Sequence, residues 1–148
     1  MTVTSSKGLR EREPSETVGR MEVCFQAGES YEVEVREHRI RVDQPIDNGG
    51  EDTAPTPVEL LVASLATCVA FYAGRYLTRH GYSRRRLSVS VEHEMATDRP
   101  ARVAAVRLRL QVPPTLPADQ RSALRAVAAH CTVHHTLLNP PSISIELA

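Results

Sequence analysis

The chain has 148 residues, with 18 acidic and 18 basic side chains and a formal net charge of zero. This length lies within the usual range of one domain and is enough to bury a core. The balanced charge gives no bulk attraction to nucleic acid or to an anionic membrane. Three cysteines without CxxC spacing do not describe a secreted disulfide framework, so we expect a reducing environment.

Residues 1–18 are polar and of mixed charge, and they contain no apolar run typical of a signal peptide. We interpret them as a flexible N-terminal tail that precedes a single domain over residues 19–148. A cytoplasmic location is the default expectation for such a chain.

Three short strands are predicted after the tail. Apolar and polar residues alternate over 20–26 and again over 31–36, on either side of a turn at 27–30, which is the pattern of a half-buried hairpin. A third strand is predicted over 39–42. Residues 43–55 hold the densest cluster of Gly, Pro, Asp and Asn, and we expect a loop there.

The loop ends at a well-marked helix start. Thr56 can cap the helix, Pro57 suits its first position, and Glu59 completes a capping box. Apolar residues then occupy every side, as in a helix inside a core or a membrane. Because the uncharged run is shorter than the ~18 residues of a bilayer span, we predict a central helix over 56–80, ended by Gly81, in a protein that does not enter a membrane.

The second half of the chain predicts two strands, a helix and a closing strand. Residues 87–95 and 106–112 alternate as a hairpin in which rows of Glu and Arg face each other. A second helix is predicted over 118–130, a helical turn after Thr132, and a strand over 142–147. Because the strands occur in hairpins rather than in strand–helix crossovers, the fold class is α+β, with antiparallel sheets wrapped on two main helices.

Two cysteines are candidates for thiol chemistry. Cys68 lies in the middle of the first helix and Cys131 at the end of the second. A thiolate attacks a peroxide far better than a thiol does, and apolar surroundings raise the pKa of a thiol, so Cys68 needs a nearby cation. The candidate cations are Arg75, Arg39 and Arg41. Once Cys68 is oxidised to a sulfenic acid, a nearby Cys131 can condense with it to a disulfide. The alternative for both thiols is inert packing in the core.

The other reactive side chains give weaker indications of function than the two cysteines. A zinc site is the competing hypothesis for the segment that contains His130, Cys131, His134 and His135, but no second CxxC or CxxH pair completes a ligand set. We therefore predict neither a metal nor a cofactor. The arginines of 84–86 are not interleaved with aromatic residues, so we expect no nucleic-acid site. Cys24 lies on the polar face of the first strand and is predicted to be inert.

Two segments carry a resemblance to a known family. TPVELLVASLATC over 56–68 is similar to the Pro-x-Glu-Leu-Leu-x-x-Ala-Leu-x-x-Cys helix of the OsmC/Ohr proteins, and CTVHHTL over 131–137 is similar to their Cys-Pro-Val-x-x-x-Leu turn. The resemblance implies an OsmC-like α+β fold and an intertwined homodimer. It also implies that Cys68 is the peroxidatic thiol and Cys131 the resolving thiol, reducing organic hydroperoxides with electrons from a dithiol donor.

The chain departs from the Ohr pattern at three places. Val58 stands where that branch has its catalytic glutamate, and the placement of Glu59 resembles the more divergent OsmC-like branch. The turn at 27–30 lacks the arginine of the Ohr branch, and Thr132 replaces the usual proline. The resemblance thus carries over the thiol pair but not the activating Arg and Glu. The alternative function is a non-enzymatic OsmC-like protein that binds a small apolar or thiol-reactive ligand.

Overall fold

A computed structural model describes residues 18–148 and confirms the α+β fold class. Apart from Val18, the predicted tail lies outside the described residues. In chain order the elements are β1 (Glu22–Ala27), β2 (Ser30–Val35), β3 (His38–Val42), a 3-10 turn (Ile46–Asn48), α1 (Pro57–Arg79), β4 (Ser88–Met95), β5 (Val103–Gln111), α2 (Ala118–Ala129) and α3 (Thr132–Leu138).

The first three strands form an antiparallel sheet in the order β1-β2-β3. Its two faces differ, because the alternation of the sequence is preserved across the strands. On one face Val23 lies opposite Val33, which in turn lies opposite Ile40. On the other face Glu34 lies opposite Arg39, and the two side chains form an ion pair of 3.1 Å.

The apolar face of this sheet is largely uncovered. Within residues 18–148, none of the substantial contacts between elements joins the sheet to a helix. The large side chains that remain exposed on this face are Val23, Phe25, Tyr31 and Ile40. Antiparallel sheets commonly bury one face against a core, and an apolar face left exposed is typical of a surface that contacts a partner.

Asp43 organises the loop between β3 and α1. Its carboxylate accepts hydrogen bonds from the backbone N–H of Thr53, Gln44 and Glu51 and from the Thr53 hydroxyl. These bonds, led by the Thr53 backbone N–H, hold the pKa of Asp43 at about 2. The same loop needs a glycine at residue 50, where a Cβ would lie 1.9 Å from the carbonyl oxygen of Gln44.

Helix α1 begins and ends as the sequence predicts. The Thr56 hydroxyl accepts from the Glu59 backbone N–H at 3.2 Å, and the Glu59 carboxylate accepts from the Thr56 N–H at 2.8 Å. The predicted capping box is therefore confirmed. At the other end Gly81, with a φ of 79°, turns the chain away in a conformation that glycine adopts readily.

Helix α1 is the centre of the packed part of the chain. It contacts α2, α3, β4 and β5, and the shared core is made by Leu65, Val69, Ala73, Tyr76, Leu77, Leu116, Leu124, Ala128 and Cys131. By length and composition α1 could also cross a bilayer, a property that core helices of soluble proteins share. That the protein does not enter a membrane stays a prediction.

The second sheet is the antiparallel hairpin of β4 and β5. Glu92 lies directly opposite Arg107, which also forms an ion pair with Glu94. The predicted facing of Glu and Arg is thus confirmed here. Strand β5 begins at Val103, three residues earlier than the alternation predicts.

The predicted closing strand over 142–147 is wrong for the single chain. These residues form no strand, and Ile143, Ile145 and Leu147 are 83%, 89% and 98% exposed. Alternation reports which side chains favour burial, but a strand also needs a neighbouring edge with which to exchange hydrogen bonds. Within the described residues this segment pairs with none of the strands.

Candidate active site

Cys68 lies near the middle of α1, on the side of the helix that faces α3. It is half-buried and packs against the core cluster that contains Cys131. The long capped helix fixes its position, and its partial exposure distinguishes it from the fully buried Cys131. Cys68 is thus the accessible member of the pair.

Cys131 lies in the short connection between α2 and α3. It is 0% exposed and is the N-cap of α3, with its Sγ accepting a hydrogen bond from the backbone N–H of His134 at 3.2 Å. Burial raises the pKa of the Cys131 thiol, the His134 N–H opposes that rise, and the neighbouring Cys68 thiol adds to it. The net shift is above the ordinary value of 9.0, so Cys131 stays protonated at neutral pH.

The structure brings Cys68 and Cys131 together although 62 residues separate them in the sequence. Cys68 packs against the core cluster that contains Cys131, and its proximity accounts for part of the raised Cys131 pKa. Both are free thiols. An accessible thiol beside a buried, protonated one is an arrangement in which oxidation of the first can be followed by a disulfide to the second.

The third cysteine is not part of this pair. Cys24 is exposed in β1, on the charged face of the sheet and opposite Glu32. This position agrees with the predicted polar face, and it makes Cys24 a suitable control for thiol chemistry at the pair.

The candidate cations make other contacts. The Arg75 guanidinium lies 5.6 Å from the centre of the Phe71 ring, and Arg39 pairs with Glu34 and, at 3.7 Å, with Glu32. The third candidate, Arg41, lies opposite Glu32 in the same sheet. These contacts place two of the three candidates on the β1–β3 sheet, away from the elements that hold the thiols.

One polar contact next to the thiols escapes the sequence-based prediction. The Tyr72 hydroxyl lies 3.3 Å from the Thr132 hydroxyl, and either can donate. Tyr72 is one helical turn after Cys68, and Thr132 directly follows Cys131. The i to i+4 spacing of Cys68 and Tyr72 places both on the same face of α1, and this much can be read from the sequence. Only the fold shows that the Tyr72 and Thr132 hydroxyls are in contact.

The histidines near Cys131 are engaged in local contacts. The Nδ1 of His134 hydrogen-bonds with the Ala129 carbonyl oxygen at 2.8 Å, and because a carbonyl only accepts, Nδ1 carries the proton. The His135 ring lies 5.6 Å from that of His130 and 6.3 Å from that of His134. Over residues 18–148 no group of three or more His, Cys, Asp or Glu side chains is placed to hold a metal ion.

A cavity of about 890 Å³ lies between β5, α1, α2 and α3, and neither Cys68 nor Cys131 is among its lining residues. Leu65, Val69, Leu124 and Ala128 belong both to its wall and to the core around Cys131. The polar side chains that line it are Arg109, Arg121, Arg125 and His134. The cavity is therefore apolar with a basic border, and it could take a ligand with an apolar body and an anionic end.

Comparison with known proteins decides the family. The sequence profile of the OsmC-like proteins matches residues 49–146, which include both cysteines of the pair. The chain belongs to the OsmC-like family. No curated protein sequence matches this OsmC-like chain.

Solved structures share the OsmC-like fold. A candidate osmotic stress induced and detoxification response protein from Psychrobacter arcticus superimposes with a TM-score of 0.74 at 24% identity, over 82% of this chain and 89% of that one. An OsmC-like protein from Mycoplasma pneumoniae gives 0.70 at 15%, over 84% and 90%. The organic hydroperoxide resistance protein OsmC of Legionella pneumophila gives 0.63 at 18%, over 84% and 91%. At these identities the likeness establishes the fold alone.

Proposed function

We propose that this OsmC-like protein is a thiol-dependent peroxidase that reduces organic hydroperoxides in the cytoplasm. The observation that carries the proposal is that Cys68, which is partly exposed, packs against the core cluster that contains the buried Cys131. Membership of the OsmC-like family supports it, as does the likeness to a protein from Legionella pneumophila named for organic hydroperoxide resistance.

The reaction balances in three steps. The Cys68 thiolate attacks the outer oxygen of the hydroperoxide, the O–O bond breaks, and the alkoxide takes a proton to leave as an alcohol, with Cys68 oxidised to a sulfenic acid. The Cys131 thiol then attacks the sulfenic sulfur and forms a disulfide, and water leaves. A dithiol donor finally reduces this disulfide by exchange and is itself oxidised to a disulfide.

The exposures of the two thiols match these roles. The first thiol must meet a substrate from solution, and Cys68 is the accessible one. The second thiol must stay reduced until Cys68 is oxidised. Burial raises the pKa of Cys131, so its thiol stays protonated and out of contact with hydroperoxide in solution.

The activity test uses three Cys→Ser variants with an alkyl hydroperoxide and a dithiol. Cys68→Ser is expected to remove turnover, because the attacking sulfur is gone. Cys131→Ser is expected to remove sustained turnover with the dithiol, because oxidised Cys68 has no partner. Hydroperoxide consumption is followed with time at matched protein concentration.

Cys24→Ser is the matched control, since it makes the same chemical change at an exposed cysteine in β1. It is expected to keep the rate of the wild type. Hydroperoxide consumption that is unchanged in both Cys68→Ser and Cys131→Ser would overturn the peroxidase proposal.

We further propose that the protein works as a homodimer in which a second copy covers the exposed apolar surfaces. Two such surfaces occur on the same chain: the apolar face of the β1–β3 sheet, and the alternating segment 142–147. Both consist of side chains whose burial would be favourable by roughly 25 cal/mol per Å². A two-fold pair would cover both surfaces in each copy at once.

The alternative function is ligand binding without turnover, and the basic-bordered cavity is the observation that favours it. In that case an anionic apolar probe such as anilinonaphthalene sulfonate would bind saturably, and Arg125→Ala would weaken its binding. Such binding in a protein that consumes no hydroperoxide would favour this function over the peroxidase.

A further inference from the structure

The hydroxyl contact between Tyr72 and Thr132 joins the two elements that carry the thiols. Tyr72 is half-buried on α1, one turn beyond Cys68, and also packs against the core cluster that contains Cys131. Thr132 is the first residue of α3, directly after the N-cap Cys131. The 3.3 Å contact therefore spans from α1 to α3 beside the thiol pair.

We propose that Tyr72 and Thr132 are positioning residues that hold Cys131 in place for disulfide formation with Cys68. The proposal rests on the peroxidase function and concerns its second step, in which the Cys131 thiol loses its proton, the S–S bond forms and water leaves the Cys68 sulfenic acid. A disulfide forms only within a narrow range of Cα and Cβ separations. A link that limits the motion of α3 relative to α1 raises the fraction of molecules within that range.

The position of Thr132 explains why a side-chain link is useful there. The first residue of a helix has no intrahelical partner for its N–H, and proline is well tolerated at this position because its fixed φ is already helical. Threonine leaves the backbone freer. The bond to Tyr72 adds a restraint of another kind, because it joins α3 to α1.

The test measures the equilibrium between the reduced protein and its Cys68–Cys131 disulfide in glutathione redox buffers. Tyr72→Phe removes one hydroxyl and Thr132→Val the other, and each is expected to lower the equilibrium constant for the disulfide by roughly fivefold, the effect of one lost hydrogen bond. Because the two hydroxyls act as one link, the double variant is expected to show the same loss as either single variant.

A second readout is the fate of Cys68 under excess hydroperoxide. Slower disulfide formation leaves the sulfenic acid exposed for longer, so Tyr72→Phe is expected to accumulate more Cys68 sulfinic acid by mass spectrometry. Thr132→Ser, which keeps a hydroxyl, is expected to match the wild type.

Tyr82→Phe is the matched control, since Tyr82 also packs against the core cluster but lies beyond the end of α1. The inference is overturned if Tyr72→Phe equals the wild type, if the losses of Tyr72→Phe and Thr132→Val add, or if Tyr82→Phe has the same effect. If the wild type itself forms no Cys68–Cys131 disulfide, the proposed function fails first and this inference falls with it.

Discussion

The sequence identifies each of the two thiols as a candidate, but it does not show that they lie close together in the folded protein. The positions of Cys68 and Cys131 on apolar helices marked them as candidates, and the resemblance to the OsmC/Ohr proteins gave them roles. Their contact depends on how α3 meets α1, which no local pattern encodes. For the same reason the Tyr72 and Thr132 hydroxyls could not be found from the sequence.

The raised pKa of the Cys131 thiol predicts how its reactivity and the stability of the protein change with pH. Burial raises its pKa in the folded protein above the ordinary 9.0. Its alkylation by a neutral reagent in the native protein is therefore expected to keep rising with pH beyond 9.0 and to level off only above the raised pKa. The free energy of unfolding should fall over the same range, because above pH 9.0 the unfolded chain ionises a thiol that the folded chain keeps neutral.

The control for this experiment is Cys131 itself in the urea-unfolded protein, where burial no longer acts. Its alkylation profile should have a midpoint at lower pH than that of the folded protein. A native midpoint at or below the unfolded one, read site by site by mass spectrometry, would contradict the proposed environment of Cys131.

Among the elements, α1 is the one for which local signals were sufficient. The capping box and Gly81 are short-range features, so both ends of the helix follow from the sequence. The segment 142–147 is the opposite case, because its alternation is clear and yet it pairs with no strand of the described residues. Local patterns thus predicted the elements whose partners are local.

Glu59, near the start of α1, can have either a structural role as a helix cap or a catalytic role, and mutation distinguishes the two. Its carboxylate accepts the Thr56 N–H at the start of α1, nine residues before Cys68. We expect Thr56→Ala to lower the free energy of unfolding by about 1 kcal/mol, and Glu59→Ala to destabilise the helix start without changing the rate of hydroperoxide reduction. A large loss of rate in Glu59→Ala, with its fold intact by circular dichroism, would contradict the capping role.

At the scale of the whole molecule, the uncovered apolar surfaces predict self-association. The wild type is expected to have the mass of two chains by light scattering after size exclusion. Phe25→Glu places a charge on the exposed apolar face of the β1–β3 sheet and should shift the protein towards the monomer. Glu34→Gln, on the charged face of the same sheet, is the matched control and should remain dimeric. A monomeric wild type at micromolar concentration would contradict the homodimer.

The central claim is that Cys68 and Cys131 act as one redox pair, and a single measurement tests it most directly. The reduced protein is treated with one equivalent of an alkyl hydroperoxide, and its intact mass and disulfide-linked peptides are determined by mass spectrometry. We predict a loss of two hydrogens and a peptide that joins Cys68 to Cys131, whereas Cys131→Ser gains oxygen at Cys68. An unchanged mass, or a disulfide that involves Cys24 instead, would contradict the account.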